Sequence, residues 1–298
     1  MTEQAKDRLL KRVASLEQMP SIPVIVGPLL SCLERPVEEL DMQEVVELIS
    51  QDKSLAAQCL HMANSPLFGR WGNVDSVRAA VVALGMHRMR DIALSCSVLK
   101  LLPSDQTHFD PVVFWEHSLG CALMARQFAR EVGFANPDKA YLCGLLHDVG
   151  IIVNLWILPR EFREAVDLAR SRGIALHEAE RESLGITHCE SGRMLAERWN
   201  FTQDIINVIA CHHNVNDAKA DKALLALVSL SDLLCRMDAL GHGYTENRQV
   251  DFQEEPAFTL LVNECSSLHN FDWARLTFEL EGYIEEVRQL VAQLYRTQ

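Results

Sequence analysis

Apolar residues recur at intervals of three and four along most of the chain, and strand-like alternation is rare. That periodicity predicts an all-α protein. Helices are expected at 3–17 and, after Pro20 and Pro23, at 24–34. Asp41 is placed to cap 42–51, a helix follows at 54–63, and Ser76 is placed to cap 77–84, which Gly85 ends before 86–101. Ala63-Asn-Ser-Pro-Leu-Phe-Gly69 reads as a turn, and Phe68 and Trp71 are expected to anchor the loop after Asn64. Pro103 and Pro111 bracket a polar connector, which divides the chain into an N-terminal helical domain, 1–103, packed on a second helical domain, 104–298. In the second domain helices are expected at 112–132, 138–148, 161–172, 176–183, 188–199, 202–213 and 222–237. A polar loop over 241–255 and two capping helices at 257–269 and 273–296 complete it.

With 298 residues, 48% of them hydrophobic, the chain has material for two full cores. Its net charge of −13 opposes non-specific binding to nucleic acid or to anionic membranes, both of which need clustered Lys and Arg. Nine scattered Cys without a C-x-x-C pair suit reduced thiols in a cytoplasmic protein. The run Ala140–Leu158 approaches the length of a membrane span, but it carries His147, Asp148, Gly150 and Asn154. An Asp near a bilayer centre costs about 2.5–3.5 kcal/mol, so a transmembrane reading is rejected.

His147-Asp148 is an adjacent polar pair inside Leu142–Asn154, an otherwise apolar run. A carboxylate in a dry interior is normally paired, neutralised or bound to a metal. His212-His213 ends an apolar helix, Asp232 sits within another, and His117 and His188 lie on or beside apolar faces. Mutual satisfaction is the economical expectation, so His117, His147, Asp148, His188, His212, His213 and Asp232 are predicted to line one pocket. Imidazole and carboxylate donors suit iron, manganese, zinc or nickel, and Asp can bridge two cations, so a mono- or binuclear transition-metal site is expected. His61, His87, His108, His177, His242 and His269 have no such setting and are read as ordinary surface or internally bonded side chains.

The order His, His-Asp, His, His-His and a distant Asp resembles the HD superfamily of metal-dependent phosphohydrolases, and its spacing resembles the HD-GYP cyclic di-GMP phosphodiesterases. A closer resemblance is to the HD-related output domain (HDOD) family. It is carried by Gln51-Asp52-Lys-Ser-Leu55, Ala63-Asn64-Ser-Pro-Leu-Phe68-Gly69, Ala79-Ala-Val-Val-Ala-Leu84-Gly85, Trp115-Glu-His117-Ser and Gly144-Leu-Leu-His147-Asp148-Val-Gly150. It continues in Glu182-Ser-Leu-Gly185-Ile-Thr-His188-Cys-Glu-Ser-Gly192, Arg198-Trp199 and His212-His213. The resemblance implies an HD-like second domain and an all-α output module of bacterial signal transduction.

Departures from the enzymatic pattern weigh against catalysis. Ile151 stands where HD-GYP enzymes carry a Lys, and Val113 where they can place a Glu ligand. Asn214-Val-Asn-Asp-Ala replaces the Glu and Gly-Tyr-Pro segment after the His pair. The expected role is a non-catalytic regulatory module that meets a signalling protein or a small phosphorylated ligand. The other reading is a metal-dependent phosphohydrolase acting on a nucleotide or cyclic dinucleotide.

Overall fold

A computed structural model describes residues 11–13, 15, 26–28, 41–68, 74–102, 109–238, 240–265 and 273–296. Among the described residues the chain is helical throughout, with no strand, as the periodicity predicts. It forms two compact units, Met1–Pro20 with Pro103–Leu280, and Ser21–Leu102 with Glu281–Gln298. The expected helices at 3–17 and 24–34, and Trp71, lie largely or wholly outside the described residues.

The smaller unit contains α1 (Met42–Ser50), α2 (Lys53–Ala63), α3 (Val77–Leu84) and α4 (Met86–Leu99). Asp41, Asp52 and Ser76 accept backbone N–H bonds at the starts of α1, α2 and α3, each a cap worth about 1 kcal/mol. Val45, Ile49, Leu55, Cys59, Met62, Met89 and Ile92 are buried on the facing sides. Phe68 is buried in the 3-10 turn Pro66–Phe68. The turn is held by Asn64, whose amide donates to Val74 O and whose carbonyl accepts from Val74 N.

The larger unit begins with α5 (Pro111–Glu131) and α6 (Pro137–Leu146), both opening on a Pro whose missing N–H is not needed there. α5 is buried from Phe114 to Ala129 apart from Glu116 and Gln127, and it buries Arg126 over the Tyr141 ring at 4.5 Å. The apolar run after Asp148 forms a helix of its own, α7 (Val149–Ile157), where no helix was expected between 148 and 161. Asp148, at φ −97° and ψ 14°, is the break between them. The combined stretch Pro137–Ile157 is apolar and long enough to cross a membrane, yet 94% of its most apolar window is buried inside the fold. α8 (Pro159–Arg172), α9 (Leu176–Ser183), α10 (His188–Arg198), α11 (Gln203–Cys211) and α12 (Lys222–Met237) follow. α13 (Pro256–Glu264) and α14 (Trp273–Arg296) end the chain.

Gly150 lets α7 and α10 approach backbone to backbone. A Cβ there would lie 1.8 Å from His188 O and 2.6 Å from Gly192 N. Neither atom can move without displacing α10, so Gly150→Ala is expected to destabilise by about 3 kcal/mol or more. Gly282→Ala is the control: Gly282 is exposed in α14 with nothing within 4 Å, and Ala there should add up to about 1 kcal/mol. Urea unfolding of both variants checks the pair; equal effects would mean that the close approach is not strained.

Candidate metal centre

The break after α6 turns His147 and Asp148 inward, and five histidines from α5, the α6–α7 junction, α10 and the end of α11 surround the carboxylate. Asp148, His117, His147 and His188 are at most 1% exposed, and His212 is 3% exposed. Each of four rings is oriented by an oxygen at Nδ1, which must therefore be the donor. His117 Nδ1 bonds Leu240 O at 2.5 Å, His147 Nδ1 bonds Gly144 O at 2.7 Å, and His212 Nδ1 bonds Ile209 O at 3.1 Å. His188 Nδ1 bonds Glu180 Oε2 at 2.7 Å. All four Nε2 atoms then converge on Asp148.

They do so in two sets. His117 Nε2 and His147 Nε2 lie 3.4 Å from Asp148 Oδ2, and 3.3 and 3.8 Å from Asp232 Oδ1. His188 Nε2 and His212 Nε2 lie 3.2 and 3.4 Å from Asp148 Oδ1, and 3.4 Å from each other. His213 Nδ1 lies 3.7 Å from Asp232 Oδ2. The seven residues predicted from sequence therefore meet in one cluster, with the Asp148 carboxylate spanning both sets.

Donor chemistry shows that this cluster could hold a metal. Asp148 Oδ1 is buried without a hydrogen-bond partner although two imidazole nitrogens face it, a spacing suited to donors around a common cation. A cation held there would supply Lewis-acid polarisation of a phosphoryl oxygen, or an anchor for a phosphate.

Four groups beside the cluster were missed or misread. His242, read as an ordinary side chain, is 6% exposed and donates Nε2 to Asp148 Oδ2 at 2.9 Å. The loop that carries it is polar as expected, yet it folds over the cluster. Gly243 takes φ +80° between His242 and Tyr244, Tyr244 OH donates to Ile174 O, and Asn247 N donates to Gly173 O. Arg236 Nε donates to both oxygens of Asp232 at 3.0 and 3.1 Å, while its Nη1 donates to both oxygens of Glu246. His177, also read as ordinary, stacks on His213 with ring centroids 4.0 Å apart. Among the other histidines read this way, His61 and His87 are partly buried in the smaller unit, and His108 and His269 lie outside the described residues.

Glu180 is the fourth. It is fully buried, its Oε2 accepts both the backbone N–H and Nδ1–H of His188, and its Oε1 accepts from Asn154. Thr187 and Glu190 form the capping box that makes His188 the first residue of α10. Glu180→Ala would leave three buried donors unpaired and is expected to destabilise by about 3–5 kcal/mol, against a smaller loss for Glu180→Gln. Denaturant unfolding of the two variants tests this, and an Ala variant as stable as the Gln variant would refute it.

The charges are mutually balanced. Burial raises the Asp148 pKa, but the imidazoles of His147 and His188 outweigh it and hold the carboxyl well below its ordinary range. Burial likewise opposes ionisation of Asp232, and the Arg236 guanidinium brings it well below. Burial lowers His117, yet bonds to Asp148 and Asp232 raise it to about 10. His212 is raised to about 10 against burial by Cys189 and Asp148, and His188 is raised well above its ordinary value, chiefly by Glu180. His213 is pushed well below its ordinary value and His177 to about 3, by burial first and then by neighbouring cations.

A cavity of about 520 Å³ opens beside His212, His213 and Asp232. Its arginines are Arg172, Arg236 and Arg248, and each is paired with a carboxylate, from Glu182, Asp232 with Glu246, and Glu255 respectively.

An all-helical fold that gathers histidines around an adjacent His-Asp pair defines an HD-type helical protein. Residues 19–215 match the HDOD domain, and the chain belongs to the HDOD family. An HDOD domain protein with unknown function from Geobacter sulfurreducens shares the fold with a TM-score of 0.83 and 30% identity, over 98% of both chains. An uncharacterized protein of Treponema pallidum is 29% identical over 231 residues, 76% of this chain and 44% of that protein. A ribonuclease Y of Thermotoga petrophila is 33% identical over 118 residues, 40% of this chain and 17% of that enzyme. The chain thus spans less than half the length of these curated relatives.

Proposed function

We propose that the chain is a regulatory output module of signal transduction, whose HD-like cluster binds rather than turns over its ligand. The cluster takes a transition metal (iron, manganese, zinc or nickel, in one or two positions) or a small phosphorylated ligand, and the module acts through contact with a signalling protein. The observation that carries this reading is Arg236. The least exposed arginine lining the cavity is committed to Asp232 and Glu246, so it is not free to meet a phosphoryl group. The surface pairs of Arg172 and Arg248 are weak and far more replaceable. The described cysteines are free thiols, which suits the cytoplasmic location proposed here.

A metal-dependent phosphohydrolase is the second reading, favoured by the unpartnered Asp148 Oδ1 facing two imidazoles and by the cavity beside it. Element analysis and phosphoester turnover of protein expressed with added iron and manganese decide between them. The module reading expects at least about a tenth of an equivalent of bound metal and no turnover dependent on Asp148. Less metal than that would count against a metalloprotein, and turnover abolished by Asp148→Ala would establish the hydrolase.

A further inference from the structure

We propose that Cys189 is a thiolate ligand that, with His188, His212 and His213, closes the second metal position against water. This rests on the reading above that the cluster binds a transition metal, and adds which donor completes the site and which metals it selects.

The donor atoms of His188, Cys189, His212 and His213 all lie within 4.8 Å of one another. Cys189 Sγ is 3.9 Å from His212 Nε2, and the Nε2 atoms of His188 and His212 are 3.4 Å apart. Bond lengths of about 2.0 Å to nitrogen and 2.3 Å to sulfur place tetrahedral donors about 3.3 Å apart for N···N and about 3.6 Å for N···S. The observed spacings are within a few tenths of an ångström of these.

Local structure explains how neighbouring residues reach one point. The Thr187 capping box starts α10 at His188, and Glu180 fixes the ring of His188 from behind. Cys189, the next residue, is buried at 7% exposure in the same first turn. Gly150 and Gly192 bring the α7 and α10 backbones together beneath it.

Together with Asp148 Oδ1 these four donors fill the position with protein atoms, as in sites that hold a metal structurally, whereas hydrolytic sites leave a position for water. A thiolate also shifts preference towards zinc, iron or cobalt and away from magnesium and manganese. The Cys189 sulfur binds as the thiolate, its proton already passed to solvent, and a sulfur lone pair forms the bond to the divalent ion with no change of oxidation state.

The test uses the full chain and cobalt(II) alone. Cobalt-loaded protein is expected to show a near-ultraviolet thiolate-to-cobalt charge-transfer band that is lost in Cys189→Ser and kept in Cys121→Ser, with cobalt affinity falling about tenfold or more in the former. Alkylation mapped by mass spectrometry on the unsubstituted protein guards against a variant that fails to fold, and metal should protect Cys189 relative to chelator-treated protein. Cobalt bound with no such band, a band that survives Cys189→Ser, or Cys189 alkylated equally with and without metal would overturn the proposal while leaving metal binding intact. Failure to bind cobalt at all would overturn both.

Discussion

Protein loaded with iron or manganese is expected to leave cyclic di-GMP intact, with a rate at least about 10²–10³ below that of a competent phosphodiesterase site. Hydrolysis needs an activated water, a cation that takes up charge on the phosphoryl oxygens, and a loop that seats the dinucleotide. The cation is missing on the α7 side, where Ile151 is fully buried and no Lys or Arg lies between His147 and Pro159. On the cavity side Arg236 is held by Asp232 and Glu246. Freeing it would break its buried pairing with Asp232 and Glu246, a cost of about 3–5 kcal/mol for breaking such a pair. The seating loop is absent too, because Asn214 leads into the short 3-10 turn Val215–Asp217. Val113, where a Glu ligand could stand, packs beneath Gly243, next to His242. Losing one electrostatic contact typically costs about 10²–10³ in rate, and more than one is missing here. The assay is product formation from cyclic di-GMP, with Asp148→Ala as the control. Activity that this substitution abolishes would sink the regulatory reading.

The sequence was most legible where polarity and periodicity disagreed. His147-Asp148, His212-His213 and Asp232 stood out because each interrupts an apolar helix, and burial of all but His213, which is partly exposed, follows from the packing of those helices. Helix starts were legible where a capping side chain marks them, at Asp41 and Ser76. α7 escaped because Asp148 makes no side-chain cap bond and the residues after it are almost uniformly apolar, so neither a cap nor an amphipathic period marks a new helix. His242 and Glu180 escaped for the opposite reason. Each lies in a polar segment that looks solvated, and each is buried only because the loop of His242 and the helix of Glu180 are packed against distant elements. Arg236 could have been suspected, since it falls four residues after Asp232 on the same helix, a spacing at which opposite charges meet.

Metal binding is expected to release protons, and its affinity to rise about a hundredfold per pH unit between pH 7 and 9 when the second position fills. Without metal, imidazolium protons on His117, His188 and His212, together with Arg236, face the carboxylates of Asp148, Glu180, Asp232 and Glu246 and the thiolate of Cys189, which burial raises but His212 and His188 bring to about 6. His212 is raised to about 10 and His188 well above its ordinary value, so both are protonated at pH 7. A ligating Nε2 must give up its proton, and two such losses make affinity grow with the second power of hydroxide until the pH nears the folded pKa values. His213 adds nothing to the slope, because burial and its cationic neighbours already keep it neutral. Asp148 and Asp232 add nothing either, since both carboxyls ionise far below this range. Chelator competition at pH 7, 8 and 9 measures the slope, and calorimetry in two buffers of different ionisation enthalpy counts the protons. An affinity independent of pH would show that the imidazoles are neutral before the metal arrives. A slope of about tenfold per unit would show that only one of His188 and His212 carries a displaceable proton.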